Sequence, residues 1–153
     1  MLHRYRIKNK YGIRSLAFSI FLFLAPVLAA AARDPDSLKF KSLDPHYFHL
    51  QYLKENPAWL IDVRMSFEYR GRRIRDAINI PSAKELYAFT DTISKNTALF
   101  LYCTDGFRSK QAARLLYDKG FRNLFNLEGG IIAWKKDGFP LEKGRVKIKK
   151  RKR

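Results

Sequence analysis

The stretch "TALFLYCTDGFRSKQAARLLYDKG", residues 97–120, joins an apolar run, a polar turn and a helical pattern. Residues 97–102 are almost continuously apolar, which is typical of a strand buried on both faces of a parallel sheet. Residues 109–120 place aliphatic side chains at helical spacing and end at Gly120, a residue type that commonly stops helices. The inward face of this helix is predicted to hold Ala112, Leu115 and Leu116. The stretch therefore predicts a strand, a compact turn and a helix in succession.

The same alternation continues on both sides of this stretch. Short apolar runs predict further strands over 58–63, 76–81 and 121–127. Helical patterns predict further helices within 43–57, 82–93 and 129–138. Strands that alternate with helices predict a single α/β domain, with a mostly parallel central sheet flanked by helices.

Two of the predicted helices carry start signals. Asp44 can cap the first of them, and Pro45 suits its first position, because a helix leaves that N–H unbonded. Ser82 is followed three residues later by Glu85, which is the spacing of a capping box. The buried stripe of the first helix has two alternatives at helical spacing: Tyr47, Leu50 and Leu53, or Phe48 and Tyr52.

Charge is concentrated at the two ends of the chain. The 153 residues carry a formal net charge of +17, and 46% are hydrophobic, which is enough for a core and argues against general disorder. Residues 1–32 contain five basic and no acidic side chains, and 143–153 contain eight basic and no acidic ones. Between them lie 18 basic and 14 acidic residues, a balance of +4. We therefore divide the chain into 1–32, a polar lead-in at 33–39, a domain at 40–142 and a basic tail at 143–153.

Residues 1–32 have the pattern of an export signal. A basic stretch precedes 18 uncharged residues from Ser15 to Ala32, and Pro26 stops their most apolar part. Alanines then offer A-x-A cleavage sites, so a cleaved signal peptide is favoured over an uncleaved membrane anchor. Both alternatives place the domain outside the cytoplasm, and we expect the bacterial periplasm.

The basic tail has a simple interpretation as a solvated segment. Its charges would also suit an anionic membrane surface. Clustered basic residues are common at nucleic-acid sites too, but the export signal argues against a nucleic-acid partner.

The single cysteine, Cys103, directly follows the predicted strand 97–102. Ligands of open parallel sheets bind at this end of the strands. Gly106 permits a turn whose N–H groups point inward, and the helix start and Arg108 add positive charge. These features favour a reactive thiolate, whereas the plainer alternative is a small buried apolar side chain. A reactive thiol requires main-chain amides directed at the sulfur and a path to solvent.

At this point the chain resembles the rhodanese-like sulfurtransferases, over roughly residues 40–142. The resemblance rests on five separated motifs in order: "LIDVRMSFEY" (60–69), "AINIP" (77–81), "LYCTDGFRS" (101–109), "AARLLYDKGF" (112–121) and "NLEGGIIAW" (126–134). It implies a rhodanese-like fold and an active cysteine at Cys103 that takes up a sulfane sulfur as a persulfide. It also implies an anion-binding loop made of Thr104, Asp105, Gly106, Phe107, Arg108 and Ser109.

The resemblance implies transfer of sulfur from a small anionic donor, such as thiosulfate, to a thiol or cyanide acceptor, without a cofactor. Related phosphatases have the longer loop C-x5-R, whereas Cys103 and Arg108 form C-x4-R, a smaller cradle that fits sulfur better than phosphate. The alternatives are a non-catalytic rhodanese-like binding module and, less favoured, a cysteine phosphatase. Asp105 would oppose thiosulfate if its side chain pointed inward.

Several other residues receive plainer interpretations. The resemblance suggests that Asp62 supports the pocket together with Arg64, and a buried structural pair is the alternative. Glu68 is expected to be a structural partner on the active-site side. A cluster of arginines at 70–75 is expected to be a solvated face or a rim that attracts anions. His46 and His49 lack a cysteine partner and are expected at the surface or in packing rather than at a metal, and Trp134 is expected in the core.

Overall fold

The computed structural model describes residues 35–144, which form five strands and five α-helices. The strands are β1 (Lys41–Leu43), β2 (Ala58–Asp62), β3 (Ile78–Asn79), β4 (Ala98–Tyr102) and β5 (Leu124–Leu127). The helices are α1 (Pro45–Lys54), α2 (Ser66–Gly71), α3 (Ala83–Thr90), α4 (Phe107–Asp118) and α5 (Gly130–Lys136). The segments 1–32 and 145–153, which carry the predicted export signal and most of the basic tail, lie outside the described residues.

The strands form one sheet in the order β1-β5-β4-β2-β3, and every pairing is parallel. The central strand β4 is buried along its whole length, as its continuous apolar run predicts. The predicted α/β class and the mostly parallel sheet flanked by helices are confirmed.

Side chains of β4 alternate between two apolar layers, because successive residues of a strand point to opposite faces. Leu99, Leu101 and Cys103 join the layer that packs against α3 and α4. Phe100 and Tyr102 join the opposite layer, which contains residues of α1 and α5. Trp134 is buried in that second layer, as predicted. Cys103 is thus part of a packed core as well as of the loop that follows β4.

The start signals of two helices are confirmed. The side chain of Asp44 accepts hydrogen bonds from the amides of His46 and Tyr47, and Pro45 occupies the first turn of α1. Ser82 accepts a hydrogen bond from the amide of Glu85 at the start of α3.

The buried faces of two helices correct one prediction and decide between the alternatives for another. In α1 the buried residues are Pro45 and Phe48, the latter at 1% exposure, whereas Tyr47, Leu50 and Leu53 are exposed. The second alternative for this stripe is therefore correct. In α4, Ala112 and Leu116 are buried as predicted, but Leu115 is 36% exposed and lies at the margin of the apolar layer.

Two elements of the structure were not predicted from the sequence. Strand β1 has only three residues, and two of them are exposed, so it shows no apolar run. Helix α2 has six residues, too few for helical periodicity to be visible. The polar lead-in is also structured, since Pro35–Leu38 form a 3₁₀ helix and Asp36 is buried against α4 through an ion pair with Arg114.

The arginine cluster is only partly a solvated face. Arg75 is exposed and pairs with Glu142, but Arg73 is 6% exposed and donates a hydrogen bond to the carbonyl of Gly144. The main chains of Arg73 and Glu142 also bond to each other in both directions. Arg73 therefore fastens the C-terminal end of the domain, because its backbone and its guanidinium both bind that segment.

His46 and His49 contribute to packing, as one of their interpretations predicted. The ring of His49 lies edge-on to Trp134, and both histidine rings contact Phe139. Between residues 35 and 144, no helix has the length and apolar character needed to cross a bilayer.

Candidate active site

Cys103 lies in a tighter turn than the sequence predicts. Strand β4 ends at Tyr102 and α4 begins at Phe107, two residues earlier than expected. Gly106 caps α4 in a left-handed conformation with φ of 96°, which favours glycine. A Cβ atom at Gly106 would lie 3.1 Å from the carbonyl oxygen of Leu127, so the turn is also closely packed. The loop is compact because a glycine at 106 allows both the turn and this contact.

Three polar groups contact the sulfur of Cys103. The amide of Gly106 donates to Sγ at 3.2 Å, and the hydroxyl of Ser109 lies 3.5 Å away. The thiol itself donates to Oδ1 of Asp105 at 3.6 Å. The main-chain amide that is directed at the sulfur, as a reactive thiol requires, is that of Gly106. The amide of Phe107 donates instead to the Asp105 carboxylate at 3.0 Å.

The side chain of Asp105 therefore turns toward the sulfur and takes an amide that a bound anion would otherwise use. The hydrogen bond from the amide of Phe107 lowers the pKa of the Asp105 carboxyl, although burial opposes this effect, and the thiol of Cys103 lowers it further. Asp105 is consequently ionised at neutral pH and places a negative charge beside the thiol. The Asp105 carboxylate thus lies beside Sγ, where its negative charge would oppose the binding of thiosulfate.

Arg108 acts on two groups of the site. Its interactions with Glu68, and smaller ones with the Cys103 thiol, raise the pKa of its guanidinium, although burial opposes them. Its guanidinium donates to both carboxylate oxygens of Glu68, at 3.1 Å each, and to the hydroxyl of Thr104 at 2.8 Å. The hydroxyl of Thr104 donates in turn to Glu68 at 2.9 Å. The pKa of Glu68 falls to about 2, chiefly because of the hydrogen bonds from Arg108. The charge of Arg108 is thereby largely neutralised.

Glu68 is more central to the site than the sequence indicated. It lies in α2, accepts the amide of Met65 at 3.0 Å and thus caps the helix that carries it. Its partners Thr104 and Arg108 belong to the loop, so Glu68 joins α2 to the cysteine loop. Only the motif that contains it, "LIDVRMSFEY", could have pointed to this role.

Cys103 has no exposed surface, contrary to the prediction of a thiol that solvent can reach. Its side chain lies at the edge of the apolar layer formed with α4, and the loop closes over it. The sequence places the cysteine at a strand end, but the packing of the loop above it decides its accessibility.

A buried polar chain supports the loop from behind. Ser109 donates to the side-chain carbonyl of Asn126 at 2.7 Å, and the amide group of Asn126 donates to the hydroxyl of Ser42 at 3.1 Å. Asn126 was missed as a site residue, although an asparagine inside the apolar run "FRNLFNL" is the signal that could have found it. Because Asn126 fixes the hydroxyl of Ser109, it also fixes the polar group beside Sγ.

Helix α5 presses its first turn against the same loop. The amide of Ile131 donates to the carbonyl of Cys103 at 2.9 Å, and that of Ile132 to the carbonyl of Thr104 at 3.2 Å. A Cβ atom at Gly130 would lie 2.5 Å from the carbonyl group of Thr104. The glycine at the first position of α5 thus permits this close approach.

Asp62 and Arg64 form a buried pair rather than part of the loop. Arg64 donates to Oδ2 of Asp62 at 2.6 Å and to the carbonyl of Arg72 at 2.6 Å. These bonds brace the segment on both sides of α2, which carries Glu68. The pair therefore supports the site indirectly.

A cleft of about 200 Å³ adjoins the loop. Its lining includes Arg108, Ala112 and Leu115 of α4 and Leu86 of α3. It also includes Val63 and Ile80, which directly follow β2 and β3. Three apolar side chains near the loop are more than half exposed: Met65, Phe67 and Phe107. Within residues 35–144, no cluster of three or more His, Cys, Asp or Glu side chains is arranged to hold a metal ion.

Comparison with known proteins identifies relatives of the domain. The chain is 32% identical over 101 residues to a tRNA uridine(34) hydroxylase of Chlamydia caviae, an overlap of 61% of this chain and 30% of that protein. With the protein of the same name from Chlamydia felis it is 31% identical over 115 residues, which cover 70% of this chain and 35% of the relative. The chain thus spans about a third of the length of these curated relatives.

Two solved structures share the fold over nearly their whole length. A rhodanese-related protein from Thermoplasma volcanium superposes with a TM-score of 0.57 at 28% identity, covering 67% of this chain and 97% of that one. A rhodanese-like domain protein from Staphylococcus aureus gives a TM-score of 0.57 at 28% identity, covering 69% and 99%. The family model of the rhodanese-like domain matches residues 46–137, so this chain belongs to the rhodanese-like domain family.

Proposed function

We propose that this chain is a sulfurtransferase that carries a sulfane sulfur as a persulfide on Cys103. The proposal rests on one observation: the Cys103 sulfur sits at the carboxyl end of β4 and accepts the amide of Gly106 at 3.2 Å, at the start of α4. Main-chain amides and the positive end of a helix stabilise negative charge on sulfur. The same groups would stabilise the outer sulfur of a persulfide.

The reaction takes two balanced steps. In the first, the Cys103 thiolate attacks the sulfane sulfur of a donor; the new S–S bond forms as the donor's own bond to that sulfur breaks. With thiosulfate the leaving group is sulfite. In the second, an acceptor thiolate or cyanide attacks the outer sulfur, which leaves as a persulfide or thiocyanate and regenerates the Cys103 thiolate. The acceptor comes from outside, because the sequence contains one cysteine.

The buried thiol adds an opening step to this scheme. Since Cys103 has no exposed surface, the loop side chains must move before a donor reaches Sγ. The cleft beside Arg108 is a candidate space for a donor or an acceptor. The exposed side chains of Phe67 and Phe107 would suit an acceptor that is itself a protein, because exposed aromatic residues are common at binding surfaces.

The test is the intact mass of the protein after incubation with thiosulfate and, separately, with cysteine hydropersulfide. We expect a gain of one sulfur atom in the wild type and none in Cys103→Ser. Cyanide should then remove the added sulfur as thiocyanate. Addition of sulfur to the Cys103→Ser variant, or no addition to the wild type with either donor, would refute the proposal.

A non-catalytic rhodanese-like binding module is the second candidate, and the complete burial of Cys103 favours it. Alkylation of the thiol by iodoacetamide at pH 6 separates the two. A reaction faster than that of a model thiol supports the sulfurtransferase, whereas a slower one supports the module. A cysteine phosphatase is less favoured, because the C-x4-R loop is short; such an enzyme would hydrolyse an aryl phosphate.

We also propose that the protein acts outside the cytoplasm, in the bacterial periplasm, with its basic tail at an anionic membrane surface. The support is the export pattern of residues 1–32 and the charge of residues 143–153. Cell fractionation tests the location, and sedimentation with anionic vesicles tests the tail. The tRNA modification named for the chlamydial relatives is not part of this proposal, because the chain spans about a third of their length.

A further inference from the structure

The cysteine loop contains a negatively charged side chain, Asp105. The Asp105 carboxylate accepts both the amide of Phe107, at 3.0 Å, and the thiol of Cys103, at 3.6 Å. It thus occupies a main-chain donor that could bind the negative end of a sulfur donor. Asp105 is exposed and lies 3.6 Å from Sγ, whereas Cys103 is buried, so a donor that reaches Sγ comes close to this charge.

The nearest cation, Arg108, offsets this charge only in part. Arg108 is engaged by both carboxylate oxygens of Glu68. The ionised side chains in contact with the loop are therefore two carboxylates and one guanidinium, a balance of −1. Among the other cations, Arg64 is paired with Asp62. Lys110 of α4 acts on the carboxylate of Asp36 in the lead-in.

We propose that Asp105 selects the sulfur donor by charge: it disfavours a dianion such as thiosulfate and admits hydropersulfides with at most one net negative charge. This inference rests on the proposed sulfur transfer at Cys103 and names the donor class for it. A like charge next to a binding site suppresses ligands of the same sign, and more strongly as their charge increases.

The favoured step balances without an additional reactant. The Cys103 thiolate attacks the terminal sulfur of R–S–SH. A new S–S bond forms between Cys103 and that sulfur as the S–S bond of the donor breaks. The products are the Cys103 persulfide and the thiolate R–S⁻, which takes up the proton released when the Cys103 thiol ionises. Charge on the donor is lower throughout this path than with thiosulfate, whose product, sulfite, is again a dianion.

The experiment compares Asp105→Asn with the wild type. Asparagine has nearly the same shape and can still accept the Phe107 amide, so the turn is retained while the charge is removed. Asp118→Asn is the matched control: Asp118 is exposed, belongs to the far end of α4 and changes the net charge equally. Rates of persulfide formation are measured by intact mass with thiosulfate and with cysteine hydropersulfide.

We expect Asp105→Asn to accelerate the reaction with thiosulfate about tenfold or more, and that with cysteine hydropersulfide by less than about threefold. Asp118→Asn should change neither rate. Equal acceleration with both donors would overturn the inference, since it would indicate a looser loop rather than a removed charge. An unchanged thiosulfate rate, or the same effect in Asp118→Asn, would overturn it too.

A second readout separates this inference from the proposed function. Iodoacetate and iodoacetamide are similar in size but differ by one negative charge, and Cys103 is the only thiol that they can modify. The ratio of the iodoacetate to the iodoacetamide rate should increase in Asp105→Asn, whether or not a persulfide forms. If the wild type takes no sulfur from either donor, the proposed function is refuted. The ratio of the two alkylation rates then tests by itself whether Asp105 selects reagents by charge. An unchanged ratio would overturn it.

Discussion

Glu68 is the residue on which the electrostatics of the site depend. It neutralises Arg108, accepts the hydroxyl of Thr104 and caps α2 through the amide of Met65. A carboxylate with three such donors is strongly favoured in its ionised form, which is why its pKa falls to about 2. The same residue therefore affects the charge near Cys103 and the attachment of α2 to the loop.

Glu68→Gln should remove a pH-dependent part of the stability. The carboxyl has its usual pKa of 4.5 in the unfolded chain and about 2 in the folded one, so the unfolded state takes up a proton first as the pH falls. The stabilisation is complete above pH 4.5 and is lost toward pH 2. We expect the variant to be less stable by about 1 kcal/mol at neutral pH, a value reduced by solvent screening.

Urea unfolding of both proteins between pH 7 and pH 2.5 measures this difference. Glu85→Gln is the control, because Glu85 is exposed and its carboxylate has no hydrogen-bond or ionic partner within residues 35–144. The difference in unfolding free energy between the wild type and Glu68→Gln should decrease as the pH falls, and that between the wild type and Glu85→Gln should not. A difference that stays constant over this range would contradict the assignment of the depressed pKa to Glu68.

Among the elements, α5 holds the cysteine loop in place. Its first amides bind the carbonyls of Cys103 and Thr104, which leaves no room for a side chain at Gly130. Gly130 also has a φ of 58°, in the left-handed region. Packing and backbone conformation thus both require glycine at this position.

Gly130→Ala should destabilise the domain more than Gly138→Ala does. Gly138 has a φ of 80° but open space around its Cα, so alanine there meets backbone strain alone, at a cost of about 1 kcal/mol. At Gly130 a methyl group would also collide with the main chain of Thr104, and we expect at least about 2 kcal/mol more.

The free energy of unfolding in urea measures both costs, and the alkylation rate of Cys103 reports the loop. Displacement of Thr104 should expose the thiol and accelerate its alkylation in Gly130→Ala only. Equal destabilisation by the two variants would show that the contact between α5 and the loop is unimportant.

At the scale of the whole domain, the lead-in is part of the folded unit. Asp36 is buried and pairs with Arg114 of α4, and Phe40 packs into the apolar layer between the sheet and α4. The hydrogen bond from Arg114 lowers the pKa of Asp36. The folded domain therefore includes residues before position 40, among them Asp36.

Asp36→Asn should lower the melting temperature by a few degrees. Arg114 is 45% exposed, so the loss of its charged partner should cost about 1 kcal/mol, which corresponds to roughly 5 °C in a domain of this size. Asp118→Asn, on the exposed side of the same helix, should leave the melting temperature unchanged. Thermal unfolding followed by circular dichroism provides the comparison, and equal melting temperatures of all three proteins would contradict this role of the lead-in.

Local patterns along the chain were enough to predict the class of the fold and the position of the cysteine. Apolar runs such as 97–102, and helix caps such as Asp44 and Ser82, are local signals that neighbouring residues carry. They predicted the parallel sheet, most of its helices and the placement of Cys103 at a strand end. Where an element was too short for such a pattern, as in β1 and α2, the prediction missed it.

The chemical environment of that cysteine depends on contacts between distant parts of the chain. Glu68 neutralises Arg108 from 40 residues away in the chain, and Asn126 fixes Ser109 from 17 residues away. The loop that closes over Sγ, with the Asp105 carboxylate beside the sulfur, depends on the packing of α5 against it. Burial and electrostatic pairing arise from residues that only the folded chain brings together, so no local pattern could have specified them.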